Sequence, residues 1–253
     1  MPPDEPRQVH PVLGAVIDVL TWDEALQRIE AWADRNESRY VCICNAHSAV
    51  TASRDQAFRA AIAGADMATP DGAPVAWMLR RLGFAGQERI NGPDLMWRLC
   101  ARAATSGRAI YLMGSTDHTL AALQIRLGAQ WPTLKIAGAR SPPFRQLTMD
   151  EERELVDDVN RSGAGLVFVS LGCPKQELWM AKNQARLTGV MIGVGAAFDF
   201  HAGTVRRAPD WMRRRGLEWL HRLCSEPRQL WRRYLITNSA FMVGAALQLL
   251  ANR

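Results

Sequence analysis

The chain has 253 residues, 48% hydrophobic and 22% charged, which excludes a disordered segment and is enough to bury a full core. Its 31 basic and 25 acidic side chains give +6, yet residues 201–253 hold ten arginines, no lysine and three acids, so that stretch carries +7 and the rest −1. A near-neutral body with a basic C-terminal segment predicts an anionic counterpart: nucleic acid, a membrane surface or a phosphorylated substrate.

The first residues, MPPDEPRQVHPV, lack the basic start and apolar core of a signal peptide. Val12 to Leu20 reads as an extended segment, and Thr21 with Glu24 forms a capping box for an amphipathic helix over Trp22–Asp34. Tyr40–Cys44 is a short apolar strand in which Cys42 and Cys44 share one face, as buried thiols. Helical periodicity follows from His47 to Ala63, then a strand at Asp66–Thr69, the turn Pro70-Asp71-Gly72 and a helix to about Leu82. After RINGPD a helix runs over Leu95–Ala104. Strands at Ala109–Met113, Leu134–Ala137, Leu166–Leu171 and Val190–Val194 then alternate with helices at Thr119–Gln130, Met149–Asn160 and Glu177–Leu187. Short strands alternating with longer helices predict a Rossmann-like α/β fold, a mostly parallel sheet with helices on both faces, over residues 1–203. Residues 204–253 form a basic, amphipathic helical appendage of two or three short helices, with breaks at Pro209 and Pro227.

Ligands of such sheets bind beyond the carboxyl ends of the strands. The turns there contain Asn45, Asp71, Gly114-Ser115, Gly172 to Glu177, and Gly193 to Asp199, each polar or glycine-rich. Five on one sheet edge point to a nucleotide-type site. Several chemistries drop out: the chain has no G-x-x-x-x-G-K-[ST], no G-x-S-x-G, and no His pair at metal-ligand spacing. In GVGAAF, Phe198 occupies the third glycine position of a dinucleotide fingerprint. Asp157 and Asp158 read as solvated helix residues, and no metal or cofactor is expected. The turn carboxylates remain. Asp71 serves either as a helix N-cap or as a general base. Glu177 either supports the first turn of its helix or binds a ribose hydroxyl, and Asp199 is structural.

The segments TPDG, RINGPDLMWRL, YLMGS, LVFVSLGCPKQELWM, IGVGAAFDFHAGTVRRAPDWM and GLEWLHRLCSEPRQLWRRYL together resemble the WecG/TagA/CpsF family, glycosyltransferase family 26, over roughly residues 12–238. The resemblance implies an inverting transfer of a hexose unit from a UDP-sugar to an undecaprenyl-diphosphate-linked saccharide. That reaction belongs to cell-surface polysaccharide biosynthesis and takes place at the inner face of the plasma membrane. It places the catalytic base at Asp71, the strand-end Asn at Asn45 and the G-x-P-K-Q-E turn at Gly172 to Glu177. Ile43 stands where the family often has Thr, and Cys173 where Ala is usual. With these, Asn45, Gly114, Ser115, Gly172, Lys175, Gln176, Glu177 and Gly195 are the expected donor residues. The expected diphosphate and acceptor ligands are Arg206, Arg207, Arg214 and Arg222, since a departing diphosphate needs cations or N–H donors.

The appendage mixes Trp211, Trp219, Trp231 and Leu with arginine, which suits a helix lying at an anionic membrane surface. Phe241–Ala251 is apolar but too short to span. The expected location is therefore cytoplasmic and peripheral to the inner membrane face. Apolar faces on the early helices serve either a homo-oligomer or only the core. The rival reading is a nucleic-acid-binding module using the Arg/Trp segment. Its aromatics follow helical spacing rather than that of a strand platform, so no nucleic-acid partner is expected.

Overall fold

The structure, a computed structural model, describes residues 6–225 and 227–252, apart from the side chains at 214, 229 and 233. Six parallel strands make the central sheet in the order β4-β3-β8-β7-β5-β6. They are β3 (Arg39–Cys44), β4 (Met67–Pro70), β5 (Ala109–Gly114), β6 (Lys135–Arg140), β7 (Leu166–Ser170) and β8 (Val190–Gly193). Every residue of β4, β7 and β8 is buried, which is why these strands read as continuous apolar runs rather than as an alternation.

Side chains still alternate between the two faces. Cys42, Cys44, Val167, Val169 and Met191 pack beneath α2 (Ala46–Arg54), α3 (Gln56–Ala63), α4 (Ala73–Arg81), α7 (Met149–Ser162) and α8 (Lys175–Asn183). Val41, Ile43, Leu112, Phe168 and Ile192 pack beneath α1 (Trp22–Asp34), α5 (Gly92–Ser106), α6 (Asp117–Gln130) and α9 (Ala197–Ala202). Thr21 and Glu24 form the expected capping box of α1.

Five expectations need correction. The extended segment at Val12–Leu20 is half of a hairpin, β1 (Val9–Val12) with β2 (Ala15–Asp18). Its two-residue turn puts both Leu13 (φ 51) and Gly14 (φ 89) in the left-handed region, as a primed hairpin turn requires, and a leucine there gives no turn signal. Asp18 fastens the hairpin over the sheet edge: it accepts from Arg7 Nη2 at 2.7 Å and from the Ala68 amide at 2.6 Å.

The single helix expected over His47–Ala63 is two helices. Asp55 is extended between them (φ −118, ψ 111); its N–H closes α2 onto Thr51 O at 2.8 Å, and its carboxylate caps α3 through the Phe58 amide at 3.0 Å. Asp158 is not merely solvated, because it accepts the Tyr111 hydroxyl.

The appendage holds α10 (Asp210–Arg214), α11 (Glu218–Ser225) and α12 (Pro227–Ala251), and the last is one 25-residue helix rather than a short one. By length and composition Leu230–Ala251 is apolar enough to cross a membrane, so the shorter count from Phe241 is corrected. In the structure α12 lies along the body, burying Leu230, Thr237, Phe241 and Ala245. Gln248 fixes it to the hairpin by accepting the Leu13 amide at 3.0 Å and donating to Pro11 O at 2.7 Å.

Candidate active site at the strand ends

Asp71 follows the last residue of β4. Its amide donates to Cys44 O at 2.9 Å, carrying the β3–β4 ladder one residue beyond the strand and fixing the backbone under the carboxylate. The N-cap of α4 is Gly72 (φ 81), with no side-chain cap, so Asp71 is not the helix cap. Its Oδ1 accepts the Gly72 amide at 2.6 Å and Arg89 Nε at 3.3 Å. Burial pushes the Asp71 carboxyl up, Arg89 opposes that and Glu218 reinforces it.

Arg89 and Glu218 are functional candidates that the sequence analysis did not single out. Arg89 bridges Asp71 to Glu218 on α11, and Glu218 in turn lies 3.5 Å from Arg207 Nε. Arg207 continues the chain, donating to Asp94 Oδ1 at 2.6 Å and Asn91 Oδ1 at 3.2 Å at the start of α5. Two acids of the body, Asp71 and Asp94, are thus joined through alternating charges to the appendage. One signal lay in the motif: Arg89 sits two residues before Asn91, the N-cap of α5.

Asp71 opens into a cavity of about 480 Å³. The body contributes Asn45, His47, Asp71, Arg89 and Phe200 to its wall; the appendage contributes Glu218, Trp219, Arg222, Tyr234, Asn238 and Phe241. Asn45 caps α2, its Oδ1 accepting the His47 and Ser48 amides at 2.9 and 3.2 Å, and its Nδ2 makes no hydrogen bond with the described residues. Arg222 lies over the Phe200 ring at 5.8 Å. Of the three expected arginines whose side chains are described, Arg222 alone lines this cavity. Arg207 is held in the charge chain, Arg206 is exposed outside the cavity, and the side chain of Arg214 lies outside the described residues.

The other expected donor residues occupy the β5–β7–β8 half of the same sheet edge and do not line the cavity. Gln176 and Glu177 are buried, while Lys175 is exposed at the start of α8. Gln176 Nε2 donates to Gly193 O at 3.2 Å and Glu177 Oε1 at 2.9 Å, tying the turn after β7 to the end of β8. Burial pushes the Glu177 carboxyl up, and the Gln176 hydrogen bond opposes it. Gly195 (φ 54) accepts the Ser170 hydroxyl at 2.7 Å. Ser115 (φ 58) reaches Asp199 Oδ1 at 3.4 Å, and Asp199 also accepts Thr119 Oγ1 at 3.2 Å, giving this acid a bracing contact between α6 and α9. Gly172 is exposed at the mouth of this half. Among the described residues no group of three His, Cys, Asp or Glu side chains is arranged to hold a metal ion.

A partly buried carboxyl at a strand end, paired with Arg89 in a cavity that Arg222, Trp219, Tyr234 and Phe241 also line, suits the deprotonation of a polar acceptor next to an anionic leaving group. The sequence matches the glycosyl transferase WecG/TagA/CpsF family over residues 10–253. It is 30% identical over 205 residues to an N-acetylglucosaminyldiphosphoundecaprenol N-acetyl-beta-D-mannosaminyltransferase of Bacillus spizizenii, covering 81% of this chain and 77% of that protein. Sheet, charge chain and appendage all fall within the family match, and the chain belongs to the WecG/TagA/CpsF family of glycosyl transferases.

Proposed function

We propose that this glycosyltransferase moves a hexose unit, with inversion, from a UDP-sugar to an undecaprenyl-diphosphate-linked saccharide. Asp71 carries the reading: a partly buried carboxylate with a raised proton affinity, beside Arg89, in the wall of the cavity. In this mechanism Asp71 takes the proton of the acceptor hydroxyl as that oxygen attacks the anomeric carbon. The bond from the anomeric carbon to the diphosphate breaks on the opposite face, and UDP leaves with both electrons of that bond. Arg222 and Arg89 supply positive charge to the departing oxygens, and the Asn45 amide supplies a donor.

The nucleotide is assigned to the β5–β7–β8 half of the edge, over Gly114, Ser115, Gly172 and Gly195, with Lys175 at its rim. Gln176 and Glu177 act there by fixing the turn that faces the nucleotide. The relative from Bacillus makes N-acetylmannosamine the first sugar to try. Location at the inner membrane face, through the appendage, is part of the same proposal.

The test is release of nucleoside diphosphate from UDP-N-acetylmannosamine, UDP-N-acetylmannosaminuronate, UDP-glucose and GDP-mannose, with a soluble lipid-diphosphate-sugar acceptor. Acceptor-dependent UDP release from one donor is expected, and Asp71→Asn should lower it by roughly 10²–10⁴-fold with donor affinity kept. Undiminished turnover in Asp71→Asn would remove Asp71 from the base role. Unchanged donor affinity and turnover in both Gln176→Ala and Glu177→Ala would reduce that turn to punctuation.

A further inference from the structure

Trp219 is the large ring that α11 brings to the cavity at Asp71, and three contacts brace it. Glu218, the residue before it, is ion-paired to Arg89 of the body and lies 3.5 Å from Arg207 Nε. Gly216, in the turn that leads into α11, has φ 71 and sits so close to α4 that a Cβ there would be 2.5 Å from Ala73 Cβ. Tyr234 of α12 meets the Trp219 ring edge-on, with 6.0 Å between the centroids. Trp219 is nevertheless 38% exposed, so a ring held in place keeps area open to a ligand.

The adjoining wall comes from α12. Tyr234, Thr237, Asn238, Phe241 and Met242, spaced i, i+3, i+4, i+7 and i+8, lie on one helix face and all line the cavity. Thr237 Oγ1 is 3.4 Å from His47 Nδ1, and Phe241 and Met242 are apolar. The Asn238 side chain makes no hydrogen bond with the described residues, so its carbonyl and N–H groups are unspent there. A braced indole beside an unspent amide and apolar side chains is the chemistry that recognises a pyranose. The axial C–H bonds of such a ring make an apolar face that packs on an aromatic one, and its equatorial substituents hydrogen-bond at the rim. None of Gly114, Ser115, Gly172, Lys175 and Gly195, the residues proposed for the nucleotide, lines this cavity. The wall is therefore left to the sugar whose hydroxyl faces Asp71.

We propose that Trp219 and Asn238 are specificity-determining residues for the acceptor sugar. The pyranose stacks on the Trp219 ring, and Asn238 hydrogen-bonds one of its ring substituents. The inference rests on the glycosyltransferase reading for there being an acceptor sugar at all. It gives the appendage a part in choosing that sugar, separate from the part its arginines play, and it makes Glu218 the residue that positions the stacking ring. Trp219 supplies affinity for any pyranose of the right shape, whereas the amide distinguishes one substituent from another, because a polar group left unpaired in the complex is costly.

Calorimetry without donor isolates the sugar. Farnesyl diphosphate and the same diphosphate linked to N-acetylglucosamine or to glucose, each below its micellar concentration, are titrated into the full chain and into Trp219→Ala, Trp219→Phe and Asn238→Ala. The ratio of affinities with and without a sugar is that sugar's own contribution. For the better sugar this ratio should be roughly tenfold or more in the wild type, fall close to one in Trp219→Ala and be largely kept in Trp219→Phe. Asn238→Ala should bring the two sugars to within about twofold of each other, and UDP affinity should hold in all three variants. In steady state Asn238→Ala should level kcat/KM for the two acceptors with donor KM unchanged, whereas a merely structural role would lower both alike. A sugar contribution that survived Trp219→Ala, or one absent from the wild type for both sugars, would overturn the proposal. So would a loss of UDP affinity in Trp219→Ala as large as that for the acceptor, which would put the ring against the donor. Sugar-dependent binding that behaves as expected, with no transfer from any donor, would sink the transfer reading and leave the stacking wall standing.

Discussion

At the residue scale, the reactivity of Asp71 follows from three neighbours: the protein that buries it, Arg89 that opposes protonation, and Glu218 that favours it. A base must be deprotonated, so the acid limb of kcat/KM should lie above the ordinary carboxylate range. Glu218→Gln removes a negative neighbour, lowers the Asp71 carboxyl and moves that limb to lower pH. Arg89→Gln removes the opposing charge and moves it to higher pH. Shifts of the same sign in both variants would assign the limb to another group. Stability gives an independent check. Because the folded-state carboxyl is raised above its unfolded value, stability is greatest at low pH and is lost as pH rises through the interval between the two. Asp71→Asn should therefore melt above the wild type at pH 7, with the gap closing toward pH 4. Asp71 and Asn45 were legible in the sequence because strand-end turns have a local signature. The Arg89–Glu218 pair, 129 residues apart, has no spacing to read.

Elements were legible where burial is two-sided. The apolar runs of β3, β5, β7 and β8 needed only adjustment at their ends, whereas the hairpin and the α2–α3 break each turned on one residue, Leu13 and Asp55. Gly114 shows how packing can demand a motif glycine independently of any ligand. A Cβ there would lie 2.2 Å from Ser170 O on the neighbouring strand, at φ 111, so the strands themselves demand glycine. Gly114→Ala should lower the denaturant midpoint by an amount worth at least about 1–3 kcal/mol, in the absence of any substrate. A stable Gly114→Ala protein with only donor affinity lost would make the approach of the ligand, not the strand packing, the reason for glycine here. Asn238 and Gln248 are polar residues beside and within the apolar end of α12. In the structure one lines the cavity and the other fastens α12 to the hairpin. Gln248→Ala removes two hydrogen bonds worth about 0.5–1.5 kcal/mol each. Hydrogen exchange of the last turns of α12 should accelerate while the sheet stays protected.

The molecule as a whole joins a body of charge −1 to an appendage of +7, and the join is also the wall of the cavity at Asp71. Arg207 and Arg213 turn inward to Asp94, while Trp219 and Tyr234 line the cavity, so neither set forms an open track for a nucleic-acid strand. Outside the cavity, Trp231 and Leu235 remain 49% and 62% exposed among further arginines, a surface suited to anionic lipid at about 1 kcal/mol per basic residue. Full-length protein should therefore sediment with anionic vesicles and be released by salt, and truncation after Gly203 should abolish both sedimentation and turnover. Because truncation also uncovers the body beneath Phe241, the sharper variant is Trp231→Ser with Leu235→Gln, two side chains that do not line the cavity. That protein should keep its turnover on a soluble acceptor while losing vesicle binding. Vesicle binding that survived the double substitution would move the membrane contact elsewhere on the appendage. Salt-sensitive capture of single-stranded nucleic acid, with no vesicle binding by the wild type, would reverse the assignment of the basic surface.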